Sequence, residues 1–334
     1  MEPHHPGSHR RDGLWRHRRR LGLSQGHAMR AQRRRRGRGD HLGGGDGHRL
    51  HRHRRGGAHH HLRRGGAVVN DAEHEAGVAS APVHIRLEGI SLGYGETLVQ
   101  RDLTFDIHRG DVFVIMGGSG CGKSTVMRCV TGLLAPWSGR VLLGDESLWE
   151  LPAARRNTLM RRNGVMYQSG ALWSSMTLEE NICLPLEQYT RLAPEQMRAI
   201  AEYKLALVGL AGYGDHYPSE ISGGMRKRVG VARAMALDPE ILFFDEPSAG
   251  LDPLSARRLD ELILELRDSL GTTMVVITHE LDSIFTIADD AVFLDADSKT
   301  MLATGNPHAL RDHSPVDQVR AFLTRGEADI DAVA

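Results

Sequence analysis

Apolar and polar positions alternate in two early stretches of the chain. Val83, Ile85 and Leu87 are interleaved with His84, Arg86 and Glu88, and Leu103, Phe105 and Ile107 repeat the pattern. A period of two predicts strands with one face buried, here the half-buried strands of an antiparallel layer. Further on the apolar positions become contiguous: 112–116 is a short unbroken run, and 241–244 and 274–277 read as strands covered on both faces, as in a parallel sheet under helices. A 3.6-residue period takes over between the last two. Leu259, Leu262, Ile263, Leu266 and Leu270 share one face, Asp252 is placed to cap, Pro253 sits in the first turn and Gly271 lies just beyond. Residues 125–134 and 225–237 also suit helices, and 165–167 suit a strand. Thr177 and Glu180 form a capping-box pair that starts another helix, which Pro185 limits or bends.

Composition divides the chain near residue 67. Residues 1–66 hold 18 Arg, 12 His and 14 Gly, no Lys, and only Glu2, Asp12, Asp40 and Asp46 as acids. Too few apolar side chains remain to build a core, so a disordered Arg/His/Gly-rich segment is expected over 1–80. The formal neutrality of the whole therefore conceals +14 in residues 1–66 and −14 in the rest. Two origins fit the basic arm: a real tail, or GC-rich DNA read upstream of a start at Val68, Val69 or Val78. Charge alone would let such an arm meet nucleic acid or an anionic membrane. With Trp15 as its lone aromatic it lacks the means to stack bases, so no specific nucleic-acid partner is expected. No secretory signal and no apolar run near the ~20 residues of a bilayer helix is visible. Cys121, Cys129 and Cys183 follow no pairing rule, which suits a reducing, cytosolic setting. Cys121 reads as a small residue that fits its loop, with a redox sensor as the alternative.

The chemistry begins where the run 112–116 ends, at GGSGCGKS, residues 117–124. A strand, a glycine loop, a lysine and a hydroxyl leading into a helix make a phosphate cradle, because a helix start offers unpaired N–H donors and partial positive charge. Gly117, Gly118, Ser119, Gly120, Cys121, Gly122, Lys123, Ser124 and Thr125 are thus expected to hold a nucleoside triphosphate, with Lys123 at the outer phosphates and the Ser124 hydroxyl on Mg2+. The strand 241–244 delivers Asp245 and Glu246 to the carboxyl edge of the sheet, where open α/β folds bind ligands. There Asp245 fits a Mg2+ role and Glu246 a general base acting on the attacking water. Ser222-Gly223-Gly224 opens a second helix prepared for an anion, one more than a single nucleotide obviously needs.

Taken in order, these elements resemble the ATP-binding cassette (ABC) family over about 83–323, with a helical subdomain near 170–235 and a tail at 324–334. The resemblance implies an α/β fold with a P-loop NTPase (RecA-like) parallel-sheet core, an antiparallel β layer and an inserted helical subdomain. It implies further that Tyr94 stacks on adenine, that Gln168 touches Mg2+ and the attacking water, and that His279 contacts the γ-phosphate. Residues 248–252, ending in Asp252, resemble the loop that links two sites across a dimer, and Ser222, Gly223 and Gly224 would engage ATP held by the partner copy. Each has a plainer alternative: Tyr94 as a surface aromatic, Gln168 as a strand-end polar group, His279 as a packed histidine.

Most members carry glutamine where this chain has Met225, whose thioether is only a weak acceptor. The segments SGGMRKRV, YQSGALWSSMTLEENICLPL and THELDSIFTIADDAVFLD are similar to the ATPases of bacterial Mla/Mce-type lipid transporters. That likeness implies a Mg-dependent ATPase homodimer at the cytoplasmic face of the inner membrane, joined to a separate permease, with an MCE-type lipid-binding protein as a candidate further partner. Leu172, Trp173 and Met176 would then either dock the permease or belong to the core. Other ABC importers, amino-acid importers among them, and non-transport ABC ATPases are the competing readings. With only 98 residues between Lys123 and Ser222 and a single cassette, the repair and ribosomal types fit poorly.

Overall fold

A computed structural model describes residues 81–325. The basic arm, its alternative start sites and most of the 324–334 tail lie outside the described residues. Two sheets organise the rest. The first is antiparallel, in the order β2-β1-β4-β5, from β1 (Val83–Tyr94), β2 (Thr97–His108), β4 (Ser138–Leu143) and β5 (Glu146–Ser147). The second has six strands, β10-β9-β3-β8-β7-β6, comprising β3 (Val112–Gly117), β6 (Asn163–Met166), β7 (Ile241–Asp245), β8 (Thr273–Ile277), β9 (Asp290–Leu294) and β10 (Met301–Gly305). All its pairings are parallel except β9 with β10.

The contiguous apolar runs become intelligible in β3. Phe113 and Ile115 face a core shared with the antiparallel sheet and α1 (Lys123–Val130), whereas Val112, Val114 and Met116 face a core built with helices. Alternate residues therefore point to opposite faces, and both faces are covered. Phe105 of β2 stacks on Phe113 with ring centroids 5.4 Å apart, joining the two sheets. After α2 (Ala153–Met160), the second core takes in α3 (Leu178–Tyr189), α4 (Pro194–Leu207) and α5 (Gly223–Ala234), which fall between β6 and β7. It continues through α6 (Pro253–Leu270), α7 (Leu281–Ile287), α8 (Pro307–His313) and α9 (Asp317–Leu323). No helix among the described residues is long and apolar enough to cross a membrane.

Several boundaries differ from those the pattern predicts. Helix α1 starts at Lys123, not Thr125, and ends at Val130 because Gly132 turns left-handed at φ 76°. Helix α5 begins at Gly223 instead of Met225, since Ser222 is its cap. Strand β6 occupies Asn163–Met166, so Tyr167 falls in the turn beyond it. Pro185 lies inside α3, which runs on to Tyr189, and the Thr177–Glu180 capping box is present in both directions at 3.2 and 2.7 Å. His84, a polar position in the alternating pattern, is buried: its Nδ1 meets Thr273 Oγ1 at 2.7 Å, and burial brings its pKa down to about 4.

Candidate functional site

The parallel order β3-β8-β7-β6 brings four strand ends to one edge. Gly117 ends β3, Asp245 ends β7, His279 follows β8 and Gln168 follows β6. Between β3 and α1 the loop depends on left-handed or extreme backbone at Gly117 (φ 141°), Gly120 (φ 79°) and Gly122 (φ 97°). A Cβ on Gly117 would stand 2.2 Å from the Leu294 carbonyl oxygen, and one on Gly122 would stand 2.7 Å from Val99 Cγ1. Gly118 has open space and no positive φ, so its glycine is not required for the loop's own shape. Lys123 is buried and curls back to donate to the carbonyls of Gly117 at 2.8 Å and Gly118 at 2.9 Å. Among the described residues nothing accepts from the amides of Gly122 or Ser124. Amide donors at a helix start beside a cation are suited to phosphate. Ser119 is exposed. Cys121 is buried and burial pushes its thiol pKa up, with the same effect taking Cys129 to about 12 and Cys183 to about 11, which favours the loop-fitting role over a redox sensor.

Ser124 Oγ donates to Asp245 Oδ1 at 3.4 Å. Burial raises the Asp245 pKa, opposed by that hydroxyl and by Arg128 and Lys123. Glu246 next to it adopts φ 49°, a left-handed conformation in a residue with a Cβ. Its amide donates to the Ile277 carbonyl at 2.9 Å and its own carbonyl accepts from buried Lys227 Nζ at 3.3 Å, so both sides of the peptide are held. Its Oε1 lies 2.8 Å from His279 Nδ1, while Oε2 is enclosed with no partner. His279 is half exposed, which removes the packed-core alternative. Gln168 is exposed in the turn after β6. Ser124, Asp245 and Gln168 offer a hydroxyl, a carboxylate and an amide oxygen. That hard-oxygen set, with one carboxylate, suits Mg2+ that keeps waters and phosphate oxygens as its other ligands. Among the described residues no group of three His, Cys, Asp or Glu is placed to hold a metal ion.

Tyr94 closes β1, is 44% exposed, and its hydroxyl accepts from Arg128 of α1 at 2.9 Å, which leaves the ring available at the surface beside the loop helix. The remaining residues stand apart. Ser222 caps α5 by accepting from Met225 N at 3.2 Å, and none of the hydrogen bonds of 222–224 among the described residues reaches 117–125. Met225 is partly buried and packs against the helical core. Asp252 caps α6 through Ser255 N at 3.0 Å, and hydrogen bonding from the Ser255 side chain and then its amide holds the carboxyl below the usual range. Of the three apolar residues before α3, Leu172 packs on the core and Trp173 is 58% exposed. Sequence reasoning passed over Lys227, Arg128 and Gln100. Lys227 lies in a run of basic residues and carries no local signal; Gln100 is a polar side chain on the inward face of β2, a signal blurred by a register shift between Ile90 and Leu92 of its partner strand.

A sequence model of the family described as ABC transporter matches residues 100–249. The chain is 37% identical over 239 residues to the intermembrane phospholipid transport system ATP-binding protein MlaF of Escherichia coli, covering 72% of this chain and 88% of MlaF. It is 38% identical over 224 residues to the probable ribonucleotide transport ATP-binding protein Mkl of Mycobacterium leprae, covering 67% of this chain but only 63% of Mkl. Among solved structures, CbiO1 of Clostridium perfringens, part of the ABC transporter complex CbiONQ, superposes with a TM-score of 0.64 at 26% identity over 69% of this chain and 91% of its own. The cassette MJ0796, solved as a post-hydrolysis dimer with ADP and Pi, gives 0.60 at 26% identity over 66% and 98%. With these likenesses joined to the phosphate loop, the acidic strand end and the order of the sheet, the chain belongs to the ABC transporter family.

Proposed function

We propose that this chain is the Mg-dependent ATPase subunit of an ABC transporter, acting as a homodimer with a separate permease at the cytoplasmic face of the membrane, and that it powers lipid movement of the Mla/Mce type. The observation that carries the ATPase reading is Glu246. A carboxylate held in a costly backbone conformation, with one oxygen fixed by His279 and the other unpartnered, is how a base is kept ready at a strand edge beside a phosphate loop. Lys123 and the amides that open α1 would hold the β- and γ-phosphates, and Tyr94 would stack on the base. Bound Mg2+, on Ser124, Asp245 and Gln168, would neutralise charge gathering on the phosphate oxygens. Glu246 Oε2 would take the water's proton. Because that oxygen is enclosed, turnover waits on a rearrangement at the loop after β7, and Ser222 to Gly224 of a second copy closing over the triphosphate would supply it.

The finer reading rests on MlaF, which this chain matches over nearly the whole of that protein. The glycine betaine/carnitine transport ATP-binding protein GbuA of Listeria monocytogenes is also 37% identical, but the chain spans 57% of it. A solute importer is therefore the rival. Glu246→Gln protein mixed with Mg-ATP is expected to elute as a dimer that reverts to monomer when ATP is withdrawn. A monomer under all conditions, with the permease supplied, refutes the shared-site reading. Purification of the native complex decides the cargo class: a permease accompanied by a lipid-binding subunit supports lipid movement, and a solute-binding protein overturns it.

A further inference from the structure

Underneath the phosphate loop lies one polar side chain that the proposed chemistry does not use. Gln100, in β2, has no exposed surface. Its Nε2 donates to the Cys121 carbonyl at 2.6 Å and to the Asp295 carbonyl at 2.8 Å. Two carbonyl acceptors demand a donor, so the amide is oriented by chemistry, and its Oε1 is left enclosed without a partner. A buried, unsatisfied carbonyl is a standing cost, which an apolar residue of equal length would avoid. The far anchor is itself rigid. Asp295 Oδ2 accepts from Ser298 N and Oγ, both at 2.7 Å, and Oδ1 accepts from Gln318 of α9 at 2.6 Å. The Ser298 bonds bring that carboxyl down to about 2. Meanwhile Gln100 Cγ lies 3.1 Å from where a Cβ of Gly122 would be, directly against the start of α1.

We propose that Gln100 is a positioning residue that fixes the phosphate loop in its triphosphate-accepting shape, a role that rests on the nucleotide-binding reading above. It ties the middle of the loop, at Cys121, to the end of β9. Lys123 and the amides that open α1 are thereby held relative to the sheet. Gln100 acts through the loop and touches no substrate.

Two variants of the full chain test this, with Mg2+ and a fluorescent ATP analogue as the probe. Gln100→Met keeps the length and loses both donors. It is expected to melt cooperatively while the Kd for the analogue rises about tenfold, the size of one or two lost hydrogen bonds. The KM for ATP should rise in parallel with kcat at saturation within about twofold, the sign of lost binding and not of lost chemistry. Gln100→Glu sets a carboxylate against the two carbonyls. Its Kd should be worse than that of the Met variant near about pH 8 and should recover toward it near about pH 6, where the buried acid regains a proton to donate. A folded Met variant with wild-type Kd overturns the proposal, as does a Glu variant whose affinity ignores pH. If the Met variant does not fold, the pH profile of the Glu variant decides. Wild-type protein that binds no analogue refutes the nucleotide reading itself and this proposal with it, a failure distinct from the other two.

Discussion

Glutamine at position 246 is expected to move activity and stability in opposite directions. The substitution keeps the shape of Glu246 and removes its charge and basicity. Losing a general base costs roughly 10^2 to 10^4 in turnover. The stability effect follows from the side chain's surroundings: Oε1 has His279 Nδ1 at 2.8 Å, and a glutamine oxygen can accept from that nitrogen as well. Oε2 is enclosed with no partner, and an unpaired buried polar atom costs about 1–3 kcal/mol, more if it carries charge. Exchanging a charged orphan for a neutral one should therefore stabilise the nucleotide-free protein by about 1 kcal/mol, or about 2–4 °C in Tm for a domain of this size. The strained backbone at φ 49° is common to both forms and cancels. Steady-state phosphate release and a thermal melt without nucleotide are the two assays. Normal turnover refutes the role of base. A melting temperature that falls refutes the account of Oε2 even if turnover is lost.

Lys123→Ala should act on binding instead of chemistry: removal of the cation beside the amides that open α1 is expected to raise the ATP Kd about 10–100-fold, read by equilibrium fluorescence. A Kd within about twofold of wild type would place the ammonium away from the nucleotide. Asp260→Asn probes a buried acid far from the chemistry. Asp260 of α6 accepts from Ser283 Oγ at 2.8 Å, and burial raises its pKa from 3.8 to about 6. Its folded pKa exceeds the unfolded one, so wild-type stability falls as pH rises from about 4 to about 6 and then stays lowered. Asparagine keeps an acceptor for Ser283 without the charge, and should melt higher above about pH 6 by an upper limit of about 3 kcal/mol, with the difference vanishing below about pH 4. Denaturant melts at several pH values measure it, and a pH-independent difference would contradict the assignment.

Much of the fold can be read from the chain because its two sheets solve different burial problems. Strands β7 and β8 are contiguous apolar runs since both of their faces are covered, and α6 carries its start and stop in Asp252, Pro253 and Gly271. The antiparallel sheet is legible as alternation, but the rule that polar means outward fails at its two most informative positions. His84 is buried because the start of β1 lies against Thr273 at the start of β8. Gln100 is buried because the irregular register of β1 and β2 shifts which residues face inward. Local signals also misplace the start of α5: Gly223 and Gly224 are poor helix formers, yet as the first two residues behind a serine cap they join the helix. The donors of the candidate site can be named from spacing. What spacing does not contain is the hold that Lys227 and Ile277 keep on the Glu246 peptide, since these contacts cross 19 and 31 residues of chain.

Some of the places where local rules are broken gather at the candidate site. Glu246 takes a left-handed conformation with a Cβ attached, its Oε2 is an enclosed orphan, and Ser248 two residues later is buried with its hydroxyl unpartnered. Across the sheet Gly117 is held at φ 141° against the Leu294 carbonyl, and Gln100 leaves a carbonyl unsatisfied to grip the loop from below. Three of the five buried side-chain atoms without partners among the described residues thus belong to the phosphate loop's support or to the turn after β7. A fold optimised only for stability would have removed such costs, because each has a cheap apolar or glycine replacement. The unmet hydrogen bonds of Gln100, Glu246 and Ser248 fall under one loop and in the turn after β7, although left-handed non-glycine residues also occur at Asp102, Ala171, Asp238, Lys299 and Arg325 and orphaned atoms at Trp149 and Asp260. Ser248 gives a test, because its buried hydroxyl in the turn that leads to α6 would gain a partner only if that turn moved. Ser248→Ala is therefore expected to leave the melting temperature of the nucleotide-free protein unchanged or raised while weakening the ATP-dependent dimer. If it instead destabilises the nucleotide-free protein and leaves dimerisation untouched, the turn after β7 is merely a structural corner and the orphaned atoms carry no functional meaning.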